Sequence, residues 1–483
     1  MSDHDRPPTV AVVTLGCGRN EVDSENVVGL LSASGFQMVA DPERADAVIV
    51  NTCAFISAAK RESIDTILAA ADLKEQGRAS AVFVTGCLAE RYTSELREEL
   101  PEADAIVPFA DYGRLPDLLR SRLGNGSAPR VPPAAFAPDG SRPMVPPFTA
   151  APPVVPSLVP AGRRALPLVF PAPAGQPFAP RPLPGRPVAL VKLAEGCDRD
   201  CSFCAIPSFR GRFRSRRPTE VLDEVAWLAR HGVSEIGLVA ENSTSYGKDL
   251  GGREALIGLL RDLAGIDGLR RVRLNYLQPD EITPGLLEEM AANPVVCSYF
   301  DLSLQHVSEP VLRRMRRGGS AVAFLRLIER IRSLDADAAF RSNFILGFPG
   351  ERQADVHRLE EFLEAARLDW VAFFAYSPED GTAALELDRR VASRTARARV
   401  ERAQELQDRV LAEVQAAWVG RRLDVLVERV DGAGTAEGRS FREGIDSDGI
   451  VRVEQAAARP GDYLEVEVIA AEGPELLARP FAV

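Results

Sequence analysis

Six of the seven cysteines in the chain fall into two sets of three. Cys197, Cys201 and Cys204 stand at Cys-x-x-x-Cys-x-x-Cys spacing within EGCDRDCSFC. The other three are scattered but share a pattern: AVVTLGC ends at Cys17, AVIVNTC at Cys53 and AVFVTGC at Cys87, each an apolar run of strand length closed by cysteine. Three thiolates can hold three irons of a 4Fe–4S cube and leave the fourth iron open to a substrate. Zinc is the natural rival at the compact set. It prefers four closed ligands, however, and neither a histidine nor a fourth cysteine lies nearby in sequence. Two reactive iron–sulfur clusters are therefore expected.

The elements that must position these thiols follow from the hydrophobic pattern. From about Thr9 to about Leu123, apolar runs alternate with helical stretches, 24–33 and 58–71 following the first two cysteine-ended strands. This alternation implies a doubly wound parallel sheet. Ligands bind such sheets outside the carboxyl ends of the strands, so Cys17, Cys53 and Cys87 share one edge. Residues 124–187 are different: 19 of the 36 prolines lie between Gly126 and Pro187. A stretch so poor in backbone donors reads as a semi-extended linker, and nothing specific marks it as a ligand for proline-binding modules.

A second alternation begins at Val188, with strands expected at 188–193, 235–240, 271–277, 299–304, 339–346 and 370–376 and helices between them, for instance 219–231 and 352–366. Six strand–helix units make an incomplete (β/α) barrel, whose first strand delivers Cys197 at the carboxyl end, where barrel chemistry resides. A helix over 396–419 presents Val400, Ala403, Leu406, Val410, Val414 and Trp418 at helical spacing, and Gly420 ends it. Residues 421–483 read as short strands with glycine-rich turns, a small all-β module. The expected class is α/β, with domains at 8–123, 188–419 and 420–483.

Bulk properties bound the setting. At 483 residues about three domains fit the usual length prior. The polar N-terminus carries no apolar export core, and no stretch approaches a membrane span. A cytoplasmic location is expected, where stable disulfides are disfavoured. The formal net charge is −11, and no basic domain of the kind that grips nucleic-acid phosphates dominates.

The Cys-x-x-x-Cys-x-Phe-Cys loop after the first strand of a partial barrel resembles the radical S-adenosylmethionine (SAM) superfamily. The resemblance implies that the open iron chelates the amino and carboxylate groups of SAM. An electron from the cluster then cleaves SAM to methionine and a 5′-deoxyadenosyl radical. The three-part layout resembles the methylthiotransferase family, with the C-terminal module as an OB-like TRAM domain. By that likeness Cys17, Cys53 and Cys87 carry an auxiliary cluster that binds or donates the inserted sulfur. One SAM methylates that sulfur and another supplies the radical.

The family divides by substrate, an adenosine of transfer RNA or an aspartate of a ribosomal protein. GCGRNEVDSE, FCAIPSFRGRFRSR, ENSTSYGKDLG, SLQHVSEPVLRRMRRG, FILGFPGE and FAYSPEDGT resemble the ribosomal branch. Charge argues the same way: residues 421–483 hold eight arginines and no lysine against 13 acidic residues, a net of −5. That suits a basic protein loop better than a transfer RNA. The implied target is small-subunit ribosomal protein S twelve, at the β-carbon of an aspartate. An electron donor and a sulfur source are required, no direct contact with transfer RNA is expected, and nothing demands more than a monomer. Two rivals stay open at this point. A transfer-RNA methylthiotransferase shares both clusters, and a non-catalytic iron–sulfur carrier explains the cysteines but not the six-unit barrel.

Other residues carry weaker signals. Glu241 and Asn242 follow the second barrel strand, where the superfamily commonly contacts SAM, and acceptors there suit its ammonium group. The run Gly347-Phe348-Pro349-Gly350-Glu351 resembles a turn beside the adenosine of SAM. Phe203 could shield the compact site, or simply pack its loop. Arg210, Arg212, Arg214, Arg216 and Arg217 could balance an anionic cluster, contact substrate, or form a solvated run. Asn20, Asp23 and Ser24 could position the second cluster, and Asp23 or Ser24 could equally cap the helix that follows. His306 reads as a loop histidine bonded to backbone, Cys297 as a buried core thiol, and His4, His231 and His357 as surface residues.

Overall fold

The computed structural model describes residues 6–123, 181, 185–252, 254–431 and 434–481. The proline-rich segment expected over 124–187 and His4 lie almost entirely outside that set. The described chain divides into two compact units, one of residues 6–123 together with Ser208–Gly211, the other of the remainder.

In the first unit, runs of Val, Ile and Ala build a parallel sheet covered on both faces, as such unbroken apolar strands must be. Its strands are β1 (Thr9–Thr14), β2 (Gln37–Met38), β3 (Ala47–Thr52), β4 (Ala81–Thr85) and β5 (Ala105–Ile106). Every residue of β3 and β4 is buried. The strand order is β2-β1-β3-β4-β5, all pairs parallel. In this doubly wound order the chain reverses direction across the sheet between β1 and β3, opening the crevice where ligands bind. Cys17 follows β1, Cys53 follows β3 and Cys87 follows β4.

The helices are α1 (Gly18–Ala33), α2 (Ser57–Glu75) and α3 (Gly86–Arg91). Helix α1 starts six residues earlier than the pattern suggested, which corrects the reading of Asp23 or Ser24 as its cap. Gly16 takes a left-handed φ of 95°, a conformation open to glycine at little cost. The chain therefore turns at once from strand to helix, and Cys17 becomes the N-cap residue. Asn20, Asp23 and Ser24 are buried inside the helix.

The second unit opens with β6 (Val188–Lys192). A two-residue ribbon, β7 (Ala194–Glu195) antiparallel to β8 (Arg214–Ser215), brackets the compact cysteine loop. The barrel continues through β9 (Glu235–Val239), β10 (Arg271–Leu274), β11 (Tyr299–Gln305), β12 (Ala339–Leu346) and β13 (Trp370–Ala375). Strands β6, β9 and β10 form one parallel set and β11, β12 and β13 another, joined by parallel bridges at Val272–Val296 and Leu277–Leu302. This is the expected incomplete (β/α)6 barrel. A 24-residue helix, Ser393–Ala416, buries Ala403, Leu406 and Val410. It leads to a closed five-stranded barrel of β14 (Arg422–Val430), β15 (Ala436–Arg439), β16 (Val451–Val453), β17 (Tyr463–Glu472) and β18 (Glu475–Pro480). Among the described residues no helix is long and apolar enough to cross a membrane.

A buried ion network ties this small barrel to the larger one. Glu235, on β9, accepts from Arg273 Nε and Arg439 Nη1, both at 2.7 Å. Arg273 also donates to the carbonyls of Phe441 and Ser440, and Arg271 to that of Arg439. Burial alone would raise the Glu235 carboxyl, but Arg273, Arg439 and Arg271 outweigh it and hold it down at about 2. Because the folded-state value lies below the usual carboxylate range, this contribution is complete above about pH 4.3 and fades as pH falls toward 2. Glu235→Gln should cost roughly 3–5 kcal/mol at neutral pH, because it strands buried guanidinium charge. It should also flatten the acid limb below about pH 4.3. Tryptophan-monitored unfolding checks this, and parental stability at pH 7 would refute it.

Candidate functional site

The three scattered cysteines converge at the carboxyl edge of the first sheet. Each thiol lies close enough to the other two to feel their charge. Two glycines permit this approach. A β-carbon on Gly16 would meet Cys53 Cβ at 2.8 Å and its Sγ at 3.0 Å. One on Gly86 would meet Asn51 Oδ1 at 2.3 Å and the Thr52 carbonyl at 2.4 Å. The strand ends carrying Cys17, Cys53 and Cys87 are thus drawn together more closely than side chains would allow.

Asn20 ties the edge together. Its Nδ2 donates to the carbonyls of Leu15 (2.8 Å) and Thr52 (2.9 Å), while its backbone carbonyl accepts from Asn51 Nδ2 at 2.8 Å. Ser24 Oγ accepts from both Asn51 Nδ2 and Thr14 Oγ1. Tyr112 accepts the Gly86 N–H at 2.7 Å.

The thiols are electrostatically unequal. Burial would raise Cys17, but Arg19, Arg210 and the backbone N–H groups of Asn20 and Arg19 bring it below the ordinary thiol value. Burial pushes Cys53 up, and pushes Cys87 to about 12 despite Arg210. A metal that takes up thiolates removes this penalty by replacing the proton. Among the described residues no three His, Cys, Asp or Glu side chains converge on one ion position. A cubane cluster gives each of its cysteine ligands its own iron, and an edge carrying three thiols offers a donor set of that kind.

The compact triad lies in the second unit, after β7. Backbone bonds fix its loop: Ser202 N–H donates to Met315 O at 3.0 Å, Ser202 Oγ to Arg314 O at 2.7 Å, and Ala384 N–H to Ser202 O at 2.7 Å. Arg317 Nη1 approaches Cys201 Sγ at 3.9 Å, while its Nη2 donates to Ser303 O at 2.6 Å. Burial raises Cys197 to about 11, partly offset by the Arg199 N–H, and the negative charges of Glu241 and Cys201 raise it further. Phe203 meets Phe348 edge-on at 6.5 Å, and Phe348 meets Tyr376 at 5.0 Å. An aromatic wall thus flanks the loop.

The residues suggested as SAM contacts divide. Glu241 lies within charge range of Cys197. Asn242 spends its amide on Ser245 Oγ and Glu281 Oε1, both at 2.9 Å, and accepts from Thr244. Glu351 folds back on its own turn: its oxygens accept the Gly347 N–H at 2.9 and 3.0 Å and Arg399 Nη1 at 2.7 Å. His306 Nδ1 accepts the N–H groups of Val307 and Ser308, as expected of a backbone-bonded histidine. The proton is thereby left on Nε2, 3.5 Å from Glu351. Cys297 is buried beside Tyr299, Ala339 and Trp370 as a core thiol. His231 and His357 are exposed.

The arginine run is not one solvated face. Arg210 and Arg216 are buried, Arg216 on Glu224 and the Lys192 carbonyl at 2.9 Å, whereas Arg212 is largely exposed. Arg317 was not singled out from sequence. Its only local signal is the MRRGG run, in which Arg316 is solvent-facing and Arg317 is not.

Three family descriptions match in chain order: Uncharacterized protein family UPF0004 over residues 9–108, Radical SAM superfamily over 191–363 and TRAM domain over 419–480. A relative from Nocardioides sp., "Ribosomal protein uS12 methylthiotransferase RimO", is 48% identical over 98% of this chain and 97% of its own. Relatives of the same name come from Saccharopolyspora erythraea (48%; 99% and 96%) and Cutibacterium acnes (45%; 99% and 99%). Among solved structures, the radical S-adenosylmethionine methyltransferase TsrM from Kitasatospora setae, with cobalamin and a [4Fe-4S] cluster bound, matches with a TM-score of 0.50. It is 16% identical and covers 78% of this chain and 74% of its own, a likeness of fold alone. With near-complete coverage at this identity, the chain belongs to the RimO family of ribosomal protein uS12 methylthiotransferases.

Proposed function

We propose that this chain inserts a methylthio group at the β-carbon of an aspartate of small-subunit ribosomal protein uS12, by radical SAM chemistry. The observation that carries this reading is the presence of two three-cysteine sets, one at a sheet edge and one in a compact loop, in a chain 98% of which aligns with a uS12 methylthiotransferase. Cys197, Cys201 and Cys204 hold the cluster that binds SAM, and Cys17, Cys53 and Cys87 hold the auxiliary cluster. When bound, the clusters and SAM supply the electron, the hydrogen-abstracting radical and the sulfur and methyl groups of the product.

The protein's own side chains bind, orient and exclude water. Phe203, Phe348 and Tyr376 keep water from one flank of the compact triad. Glu241, beside Cys197, offers a carboxylate to the SAM ammonium group. Glu351 locks the Gly347 turn, so that its backbone can line the adenosine side. Arg317 places positive charge against Cys201. The acidic C-terminal barrel, with eight arginines against 13 carboxylates over 421–483, favours a basic protein segment over a polyanion. The enzyme acts in the cytoplasm as a monomer, with an external electron donor and sulfur source.

The deciding experiment is anaerobic reconstitution with iron, sulfide, SAM and a reductant, followed by mass measurement of uS12. Replacement of one hydrogen by one methylthio group on one aspartate is expected. If 5′-deoxyadenosine forms while uS12 stays unchanged, the substrate assignment falls and transfer RNA becomes the next candidate.

A further inference from the structure

Arg210 stands six residues after Cys204 in sequence, yet by contact it belongs with the first unit. Its side chain is 2% exposed. Nη2 donates to Asn20 Oδ1 at 2.7 Å and to Cys87 Sγ at 3.3 Å, and pairs with Asp23 Oδ2 at 3.1 Å. The guanidinium also stacks over Phe109, 4.8 Å from the ring centroid. An arginine kept only for a structural ion pair would be satisfied by Asp23. Here one nitrogen is instead shared among a carboxylate, an amide oxygen and a sulfur, and the aromatic ring below limits its escape.

We propose that Arg210 is a positioning residue that sets the reduction potential of the auxiliary cluster, with Asp23 as its counterweight. The inference rests on the reading that Cys17, Cys53 and Cys87 hold that cluster. A 4Fe–4S core on three thiolates carries a net charge of about −1, which becomes about −2 on reduction. Hydrogen bonds to the ligating sulfurs and nearby fixed charge are the protein's main controls on that step. Arg210 supplies both through Cys87 and favours the electron-rich state. Asp23 opposes it from the other side of the same nitrogen. Because Arg210 is buried, bulk ions do not take over its role.

The test uses the full-length chain with Cys197, Cys201 and Cys204 all replaced by alanine, so that only the auxiliary cluster assembles. Iron content is counted, and the potential is followed by EPR-monitored redox titration. In this background Arg210→Gln should shift the potential downward, Asp23→Asn should shift it upward, and Arg210→Lys should restore most of the parental value. Opposite signs at Arg210 and Asp23 are the decisive feature, since loosened packing would move both variants alike. A cluster present in full whose potential ignores both substitutions, or moves the same way in both, overturns the proposal and leaves the ligand assignment standing. If no iron assembles in the parent background, the ligand assignment itself fails, and this proposal fails with it. Should Arg210→Gln lose its iron, the Asp23→Asn shift decides alone.

Discussion

Cys201→Ala is expected to reduce formation of 5′-deoxyadenosine from SAM to background, a loss on the order of 10³-fold or more, as when an indispensable catalytic group is removed. Iron should fall from about eight atoms per chain to about four. The loss would be chemical and not a collapse of the loop. Ser202, the next residue, is pinned by its N–H to Met315 O, by its hydroxyl to Arg314 O and by its carbonyl to the Ala384 N–H, and none of these bonds involves the thiol. Methylthio transfer should vanish as well. SAM cleavage persisting at a tenth of the parental rate would mean that these cysteines do not bind the SAM cluster.

The second expectation separates the two halves of the reaction. Cys53→Ala should leave reductive cleavage of SAM within about twofold of the parent and abolish methylthio product on uS12. The backbone at position 53 is held by Ser63, whose hydroxyl accepts the Cys53 N–H and donates to its carbonyl, both at 3.0 Å. Alanine therefore keeps the strand end in place and deletes only the sulfur. Mass analysis of uS12 beside a count of 5′-deoxyadenosine provides the measurement. Retained methylthio product would remove the auxiliary-cluster role from this edge, whereas loss of both activities would show that the two centres are not separable in this way.

Much of this architecture was legible from the chain. Three apolar runs closed by cysteine require strand ends, and parallel topology forces strand ends onto one edge, so the convergence of Cys17, Cys53 and Cys87 followed from pattern alone. The start of α1 was not legible, because whether Gly16 continues a loop or reverses the chain depends on how closely Cys53 approaches it. Arg210 was hidden for another reason. Arg210, Arg212, Arg214, Arg216 and Arg217 look alike in sequence, and only tertiary contacts separate the two buried ones from the exposed remainder. The same holds for Glu351. Its place in a glycine turn suggested a ligand contact, but its oxygens close that turn and reach Arg399, 48 positions away.

The ion network at Glu235 has a practical side for anyone recombining this enzyme with its relatives. Glu235 and Arg439 are 204 positions apart, yet Arg439 donates to the same buried Glu235 oxygen as Arg273, and the side chains of Arg271 and Arg273 end on carbonyls of the C-terminal barrel. A chimera joined near residue 420 would respect the secondary structure but cut through this shared charge set. A foreign C-terminal module would therefore have to supply its own guanidinium in place of Arg439 for Glu235, and carbonyls where Arg271 and Arg273 now end, or bring its own counterparts of Glu235, Arg271 and Arg273 with it. The unit that can be exchanged without stranding buried charge is thus the module together with its socket, which is larger than the domain boundary near residue 420 suggests.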